Sequence, residues 1–363
     1  MKTNDTKIYL FVTHWLEVQQ RYKFALKNNK YKKTIYLILS NDSIKYMKPP
    51  YDLNSIILKF VSSISEKIGE VNAKYLIKTN PTLRKQNQIK TIHSSLSIEG
   101  NTLSEEQITA ILENKRVVGP QKDILEVLNA LEVYKNLKTL KFNNEKDFLK
   151  AHQWLMNNLI ENSGKYRTQG VGIVKGSKVE HIAPPASNVP FLMKDLFIYL
   201  KDKTELSLIK SCVFHYEMEF IHPFMDGNGR MGRLWQTLIL MNEYPIFEFL
   251  PFETLISNNQ SEYYKVLSAC DKEGKSTKFI EYMLRIIDQS LSDLLKNSNK
   301  RPSENERMSI FLETINSNFT RKDYLNYFKD ISSATASRDL KTAVENKLIN
   351  KIGDKKITVY NKN

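Results

Sequence analysis

Residues 222–233 read His222-Pro223-Phe224-Met225-Asp226-Gly227-Asn228-Gly229-Arg230-Met231-Gly232-Arg233. The stretch sits between two apolar helical patterns. Phe214 to Ile221 runs helical, and Pro223 ends that run because the residue before a proline is driven out of the α region. Met231 to Leu240 resumes helical spacing. The spacing therefore predicts helix, tight turn, helix, with His222 at the first helix end and Asp226 to Gly229 as the turn. Glycines let backbone N–H groups converge into an anion nest, and the following helix adds its N-terminal N–H groups. Arg230 and Arg233 are three apart and share a helix face, and guanidinium forks bind phosphate oxygens in pairs. Asp226 at the turn mouth suits a Mg²⁺ that bridges phosphates. His222 has a side chain able to take a hydroxyl proton near neutral pH.

Outward from this turn the chain is mostly helical. From about residue 55 to 300 helical spacing dominates: Ile89, Ile92 and Leu96 fall on one face with Glu99; Leu125, Leu128, Leu131 and Tyr134 repeat the pattern, as do Ile209, Val213, Tyr216 and Phe220; and Lys278 to Leu295 is an amphipathic run. Residues 165–182 break the pattern. There Val171, Ile173, Val179 and His181 alternate about Lys175-Gly176-Ser177, and Pro184-Pro185 closes the segment, which predicts a β-hairpin. Residues 297–303 are polar and read as a linker. Beyond them come a helix over Arg321 to Phe328, a second capped by the Ser332/Ser333 pair, and a β pair over 349–361 that turns at Gly353-Asp354. That order is a winged helix-turn-helix pattern. The expected fold is mainly α: a helical core over 56–296 with a hairpin flap, and a C-terminal winged helix over 304–363. Residues 1–55 form an N-terminal extension, with a helix near Trp15 and a strand over Thr34 to Leu39.

The chain has 363 residues and a net charge of +14, and that charge lies at the ends. Residues 1–90 carry 17 Lys and Arg against 6 Asp and Glu, and residues 301–363 carry 12 against 8. Basic ends could meet nucleic acid; a solvated lysine surface is the plainer reading. Two distant cysteines, Cys212 and Cys270, speak against a disulfide framework and fit a cytoplasmic setting. No apolar run reaches the ~20 residues of a membrane span, and no signal peptide is legible. His14, His93, His152, His181 and His215 lack metal-ligand spacing.

The pattern His-Pro-Phe-x-Asp-Gly-Asn-Gly-Arg-x-x-Arg at 222–233 resembles the Fic motif at every fixed position. The resemblance implies a Fic-fold core and transfer of AMP from ATP to a Ser, Thr or Tyr hydroxyl of a protein. His222 would be the base, and Asp226 would hold Mg²⁺. Gly227, Asn228 and Gly229 would form the anion hole, and Arg230 and Arg233 would clamp the β- and γ-phosphates. Met231 and Gly232 fall within the same ATP-binding stretch. Gly229 stands where the phosphorylating branch of the family has Lys, which favours adenylylation. The hairpin resembles the family's flap, which docks a target backbone. Tyr263-Tyr264 resemble the family's adenine-side tyrosines, with Tyr264 the expected contact. Asp271 stands where relatives often have Asn.

A second segment, Ser95-Leu96-Ser97-Ile98-Glu99-Gly100, ends a helix expected over about 83–100, and Ser104 with Gln107 forms a capping box for the next. Glu99 at a helix C-terminus is disfavoured by roughly 0.3–1 kcal/mol, and Ser95, one turn back, could donate to its carboxylate. The segment resembles the family's inhibitory motif, placed N-terminal to the core. The resemblance implies that Glu99 pairs with Arg233 and keeps it from the γ-phosphate. Three other readings stand beside the transferase: removal of AMP with Glu99 positioning water, DNA binding through Arg338, Lys341 and Lys347, and automodification within a homodimer.

Overall fold

The computed structural model describes residues 48–75, 81–175, 178–298, 303–315, 318–329, 331–353 and 358–362. The helix and strand expected before residue 48 lie outside them. Fourteen α-helices occur among the described residues: α1 Ser55–Tyr75, α2 Pro81–Ile98, α3 Glu105–Leu112, α4 Gln121–Asn136, α5 Glu145–Leu155, α6 Val189–Leu200, α7 Ser207–Ile221, α8 Asn228–Glu243, α9 Glu253–Asn258, α10 Gln260–Glu273, α11 Thr277–Ser298, α12 Glu304–Thr314, α13 Arg321–Tyr327 and α14 Ser333–Glu345. Two antiparallel strand pairs accompany them, β1 Gly172–Lys175 with β2 Lys178–Ile182, and β3 Ile349–Ile352 with β4 Val359–Lys362. The chain divides into two compact units, one of residues up to 70 with 88–292, the other of 71–87 with 293–363.

The first unit is built around α7 and α8. Every residue from Leu208 to Met218 is buried, so α7 is enclosed on all sides as a central helix should be. The helix α8 lies against it and against α5, and α6 packs on both α7 and α5. Phe148 of α5, Phe197 of α6, Phe214 of α7 and Trp235 of α8 form an edge-to-face cluster, with Phe148 and Trp235 centroids 5.0 Å apart. Phe224 from the turn between α7 and α8 joins it, 5.4 Å from Phe148 and fully buried. Burying one such ring is worth about 1.5–3 kcal/mol, so the turn is anchored to the core by its own sequence. Residues 48–54 pack on the start of α11, where Asn54 donates to Glu281 and Ser276 N–H donates to Pro50 O.

One expected face is corrected. In α4 the core side is Val127, Ala130, Val133 and then Leu137, whereas Leu128 is 48% exposed. The row Leu125, Leu128, Leu131, Tyr134 advances three residues at a time, so each step falls short of a 3.6-residue turn. After nine residues it has drifted to the opposite side of the helix.

The second unit packs α12, α13 and α14 around Met308, Phe311, Phe319, Tyr324, Leu340 and Ile349. Ser303, Thr320 and Ser332 cap the three helices. The β3–β4 pair closes it, and Phe319 bridges to Tyr360. Arg307 makes a two-pronged ion pair with buried Asp339, at 2.7 and 2.8 Å, and Tyr324 donates to the same carboxylate. No helix among the described residues is long and apolar enough to cross a membrane. Cys212 and Cys270 are buried and unbonded.

Candidate active site

The helix α7 stops at His222, whose backbone is left-handed at φ 50° and ψ 60°. That region costs a non-glycine residue about 1–2 kcal/mol, so the surroundings must impose it. The turn follows at once. Asn228 reaches back to accept from Phe224 N–H and donate to Phe224 O, both at 2.9 Å, which closes the loop on itself. Gly227 has φ 84°, and a Cβ there would lie 2.7 Å from Met156 Sδ. The position therefore demands glycine on both conformational and steric grounds. Asp226 accepts from Gly227 N–H at 2.6 Å and from Arg230 at 3.3 Å, and its side chain is 48% exposed. One exposed carboxylate suits Mg²⁺, which keeps several waters and takes one or two carboxylates beside substrate phosphates.

Both arginines point from α8 into this region and are almost wholly buried. Arg230 pairs with Glu126 of α4 at 3.1 Å. Arg233 donates to Ser95 Oγ at 3.0 Å, to Ser95 O at 2.9 Å and to Glu99 Oε1 at 2.7 Å. Burial alone would lower the Arg233 pKa; the Glu99 carboxylate outweighs it and holds the guanidinium firmly charged. Arg230 Nε and Arg233 Nη1 are buried without a hydrogen-bond partner among the described residues. Buried donors of this kind normally find an acceptor. Glu99 lies directly on the turn: a Cβ on Gly229 would sit 2.3 Å from Glu99 Oε1.

The expectation for Ser95 is corrected. Its hydroxyl accepts from Arg233, and no hydrogen bond joins it to Glu99 among the described residues. Helix α2 is tied down further by Ser94 to Thr254 at 3.0 Å, Ser97 to Ser257 at 2.9 Å and Gln260 donating to Ile98 O at 2.5 Å.

Of the other expected residues, Tyr264 is 38% exposed, and burial together with the Glu99 charge raises its pKa. Tyr263 is buried core, hydrogen-bonded to His215 at 3.0 Å. Asp271 accepts from Tyr216 at 2.8 Å. Met231 is fully buried, and Gly232 faces α7, where a Cβ would meet His215 at 2.6 Å. The His181 side chain lies outside the described set.

Three residues were not singled out by sequence reasoning. Glu126 holds Arg230 with one oxygen and accepts from Asn101 with the other at 2.8 Å. His152 is buried in α5 and stacked on Phe224, with centroids 3.5 Å apart. Its Nε2–H donates to Asp226 O at 3.0 Å, and its Nδ1 accepts from Gly164 N–H at 2.8 Å. Burial pushes its pKa down to about 4, which fits that neutral tautomer. Arg167, between α5 and the hairpin, donates Nε to His222 O at 2.7 Å, Nη1 to Gln169 O at 2.8 Å, and Nη2 to Pro184 O at 2.5 Å and Ile221 O at 3.3 Å. Partners as far as 104 residues away left no local signal for any of the three, and two of them bind main-chain carbonyls that carry no residue identity.

The fold and this turn define a helical protein whose two central helices are joined by a glycine turn with two buried arginines beside it. Residues 142–240 match the model of the Fic/DOC family. The crystal structure of a Fic family protein from Desulfovibrio desulfuricans G20 is 37% identical, covers 87% of this chain and 98% of that one, and superposes with a TM-score of 0.67. The chain belongs to the Fic family. It is also 29% identical over 214 residues to protein adenylyltransferase fic-1 of Caenorhabditis elegans, covering 55% of this chain and 40% of that protein. To protein adenylyltransferase Fic of Nematostella vectensis it is 28% identical over 238 residues, covering 61% and 52%. The chain thus spans about half the length of these curated relatives.

Proposed function

We propose that the chain is a protein adenylyltransferase, transferring AMP from ATP to a hydroxyl of a target protein, and that Glu99 restrains it. The observation that carries the reading is the pair of buried arginines aimed at the Asp226 to Gly229 turn that follows a helix-end histidine. His222 takes the proton of the target hydroxyl. The hydroxyl oxygen bonds to the α-phosphorus, and the bond from that phosphorus to the bridging oxygen breaks. Pyrophosphate leaves carrying its charge toward Arg230 and Arg233. Main-chain N–H groups of Gly227, Asn228 and Gly229 donate to phosphate oxygens, that of Gly227 on leaving the Asp226 carboxylate. Met231 and Gly232 contribute through main chain alone, since one side chain is buried and the other absent. Mg²⁺, held by Asp226 and the phosphates, would neutralise charge on the phosphates. Tyr264 flanks the adenine, with Asp271 behind it, and the β1–β2 hairpin offers an edge to the target backbone.

Restraint follows from shared occupancy. While Glu99 engages Arg233 and covers Gly229, a γ-phosphate has no seat there. Labelling with α-³²P-ATP tests both claims. Glu99→Gly should label protein, itself included, faster than the parent, and His222→Ala should not label at all. Equal labelling by parent and Glu99→Gly would remove the restraint; labelling by His222→Ala would remove the base.

A second reading for the C-terminal unit is a winged helix that binds DNA. Asp339, an acidic residue on the helix concerned, is neutralised inside the core by Arg307, while Arg338 and Lys341 are exposed on α14 with Glu345, which lies 3.8 Å from Lys341. This favours a net basic outer face. Shift assays of the full chain across a salt series test it, and an absence of salt-dependent binding excludes it.

A further inference from the structure

We propose that Arg167 is a positioning residue for transfer: one guanidinium clasps both legs of the β1–β2 hairpin at their base and holds the main chain of His222. The inference rests on His222 as base and the hairpin as target edge. Gln169 precedes β1 and Pro184 follows β2, and the same plane of donors reaches the carbonyls of both. On its other side it holds Ile221 O and His222 O, and its own backbone N–H donates to Pro223 O at 2.9 Å. Three consecutive carbonyls around the left-handed His222 are thus referred to a single residue.

A plain helix cap explains only part of this. The last carbonyls of α7 lack intrahelical donors, and an arginine is a common partner for them. A cap has no need of Gln169 and Pro184, which belong to another segment. Arg167 is also 3% exposed, and its side-chain acceptors among the described residues are all carbonyls, with no carboxylate in ion-pair reach. A guanidinium has a fixed fork, so the hairpin base and the His222 carbonyl cannot shift independently. A strand laid on the hairpin edge is therefore registered against the base.

The test uses the full chain carrying Glu99→Gly, with Arg167→Lys and Arg167→Met added. ATP affinity is read by calorimetry, and incorporation from α-³²P-ATP into protein by initial rates. Hydrogen exchange is followed over 172–182. Lysine keeps the charge but cannot span four carbonyls. Misplacement of the base by ~1 Å predicts a fall of about 100-fold in maximal labelling rate, with ATP affinity unchanged within about threefold. Exchange in the hairpin should accelerate in both variants. The proposal is overturned if Arg167→Lys labels at the parent rate, or if rate and ATP affinity fall together, as loss of a merely structural cap would produce. If Arg167→Met does not fold, Arg167→Lys carries the test. If the Glu99→Gly chain with Arg167 intact fails to label, the transferase reading falls instead, and hairpin exchange alone then decides whether the clasp exists.

Discussion

The proposed competition of Glu99 and ATP for one buried guanidinium makes a reciprocal prediction. Replacing Glu99 with Ala removes a 2.7 Å charge-assisted bond to Arg233, which is 1% exposed. Such a bond is worth about 1.5–3 kcal/mol. The Glu99 side chain is 27% exposed, so solvent screening favours the lower part of that range. Removing a carboxylate from a helix C-terminus returns roughly 0.3–1 kcal/mol. The net loss is about 1–2 kcal/mol, softened because Arg233 keeps both of its bonds to Ser95. For a unit of this size, each kcal/mol lowers the melting temperature by about 2–4 °C. The same energy must appear with opposite sign in ATP binding, because the parent breaks the contact that the variant lacks. At 1.4 kcal/mol per decade, the variant binds ATP about 5- to 30-fold more tightly. AMP has no γ-phosphate and should show no such gain. Thermal melts and calorimetric titrations of parent and Glu99→Ala with ATP and with AMP measure all four quantities. A variant as stable as the parent refutes the argument, and so does an ATP gain matched by AMP.

Further outcomes follow from buried groups. His152 is held neutral with a pKa near 4, below the usual 6.5, so its contribution is complete above about pH 6.5 and is lost as pH falls toward 4. The loss is roughly 3 kcal/mol, and urea melts of His152→Gln should lack that part of the acid slope. Glu253 is buried with its pKa raised to about 8, chiefly by desolvation. Its raised value favours folding below about pH 4.5 and penalises it as pH rises through 8, so Glu253→Gln should raise the melting temperature at pH 8 more than at pH 5. Gly232→Ala puts a methyl 2.6 Å from the His215 ring and should destabilise by about 1–3 kcal/mol, read by the urea midpoint. Asp339→Ala removes the buried carboxylate that pairs with Arg307 and accepts from Tyr324, and should open residues 304–362 to limited proteolysis, at a cost of about 3–5 kcal/mol.

Much of the fold was legible because local rules act on near neighbours. The end of α7 before Pro223, the capping box at Ser104 and Gln107, and the cap at Ser332 all appear as read. So does the strand pair on either side of residues 176–177. The α4 face was misread for an equally local reason, a three-residue step that drifts around the helix. The bond expected from Ser95 to Glu99 was assigned by spacing alone. In the structure Arg233, 138 residues away, stands between the two, donating to the Ser95 hydroxyl and to Glu99.

By itself the sequence determined the inventory: a base, a carboxylate, a glycine turn and two arginines within twelve residues, and a glutamate at the end of another helix. Backbone sterics, helix periodicity and side-chain chemistry depend on residues a few positions apart, so a string of letters carries them. The resemblance had implied the pairing of Glu99 with Arg233, but the tertiary structure decided its geometry and every other meeting. It brought α2 across the turn so that Glu99 reached Arg233 and covered Gly229, set Glu126 against Arg230, and slid His152 and Arg167 under the two ends of the loop. Those contacts depend on how buried helices pack, and in two cases on carbonyl groups that every residue shares. The sequence named the groups proposed to hold phosphate, and the packing added the groups that hold those groups still.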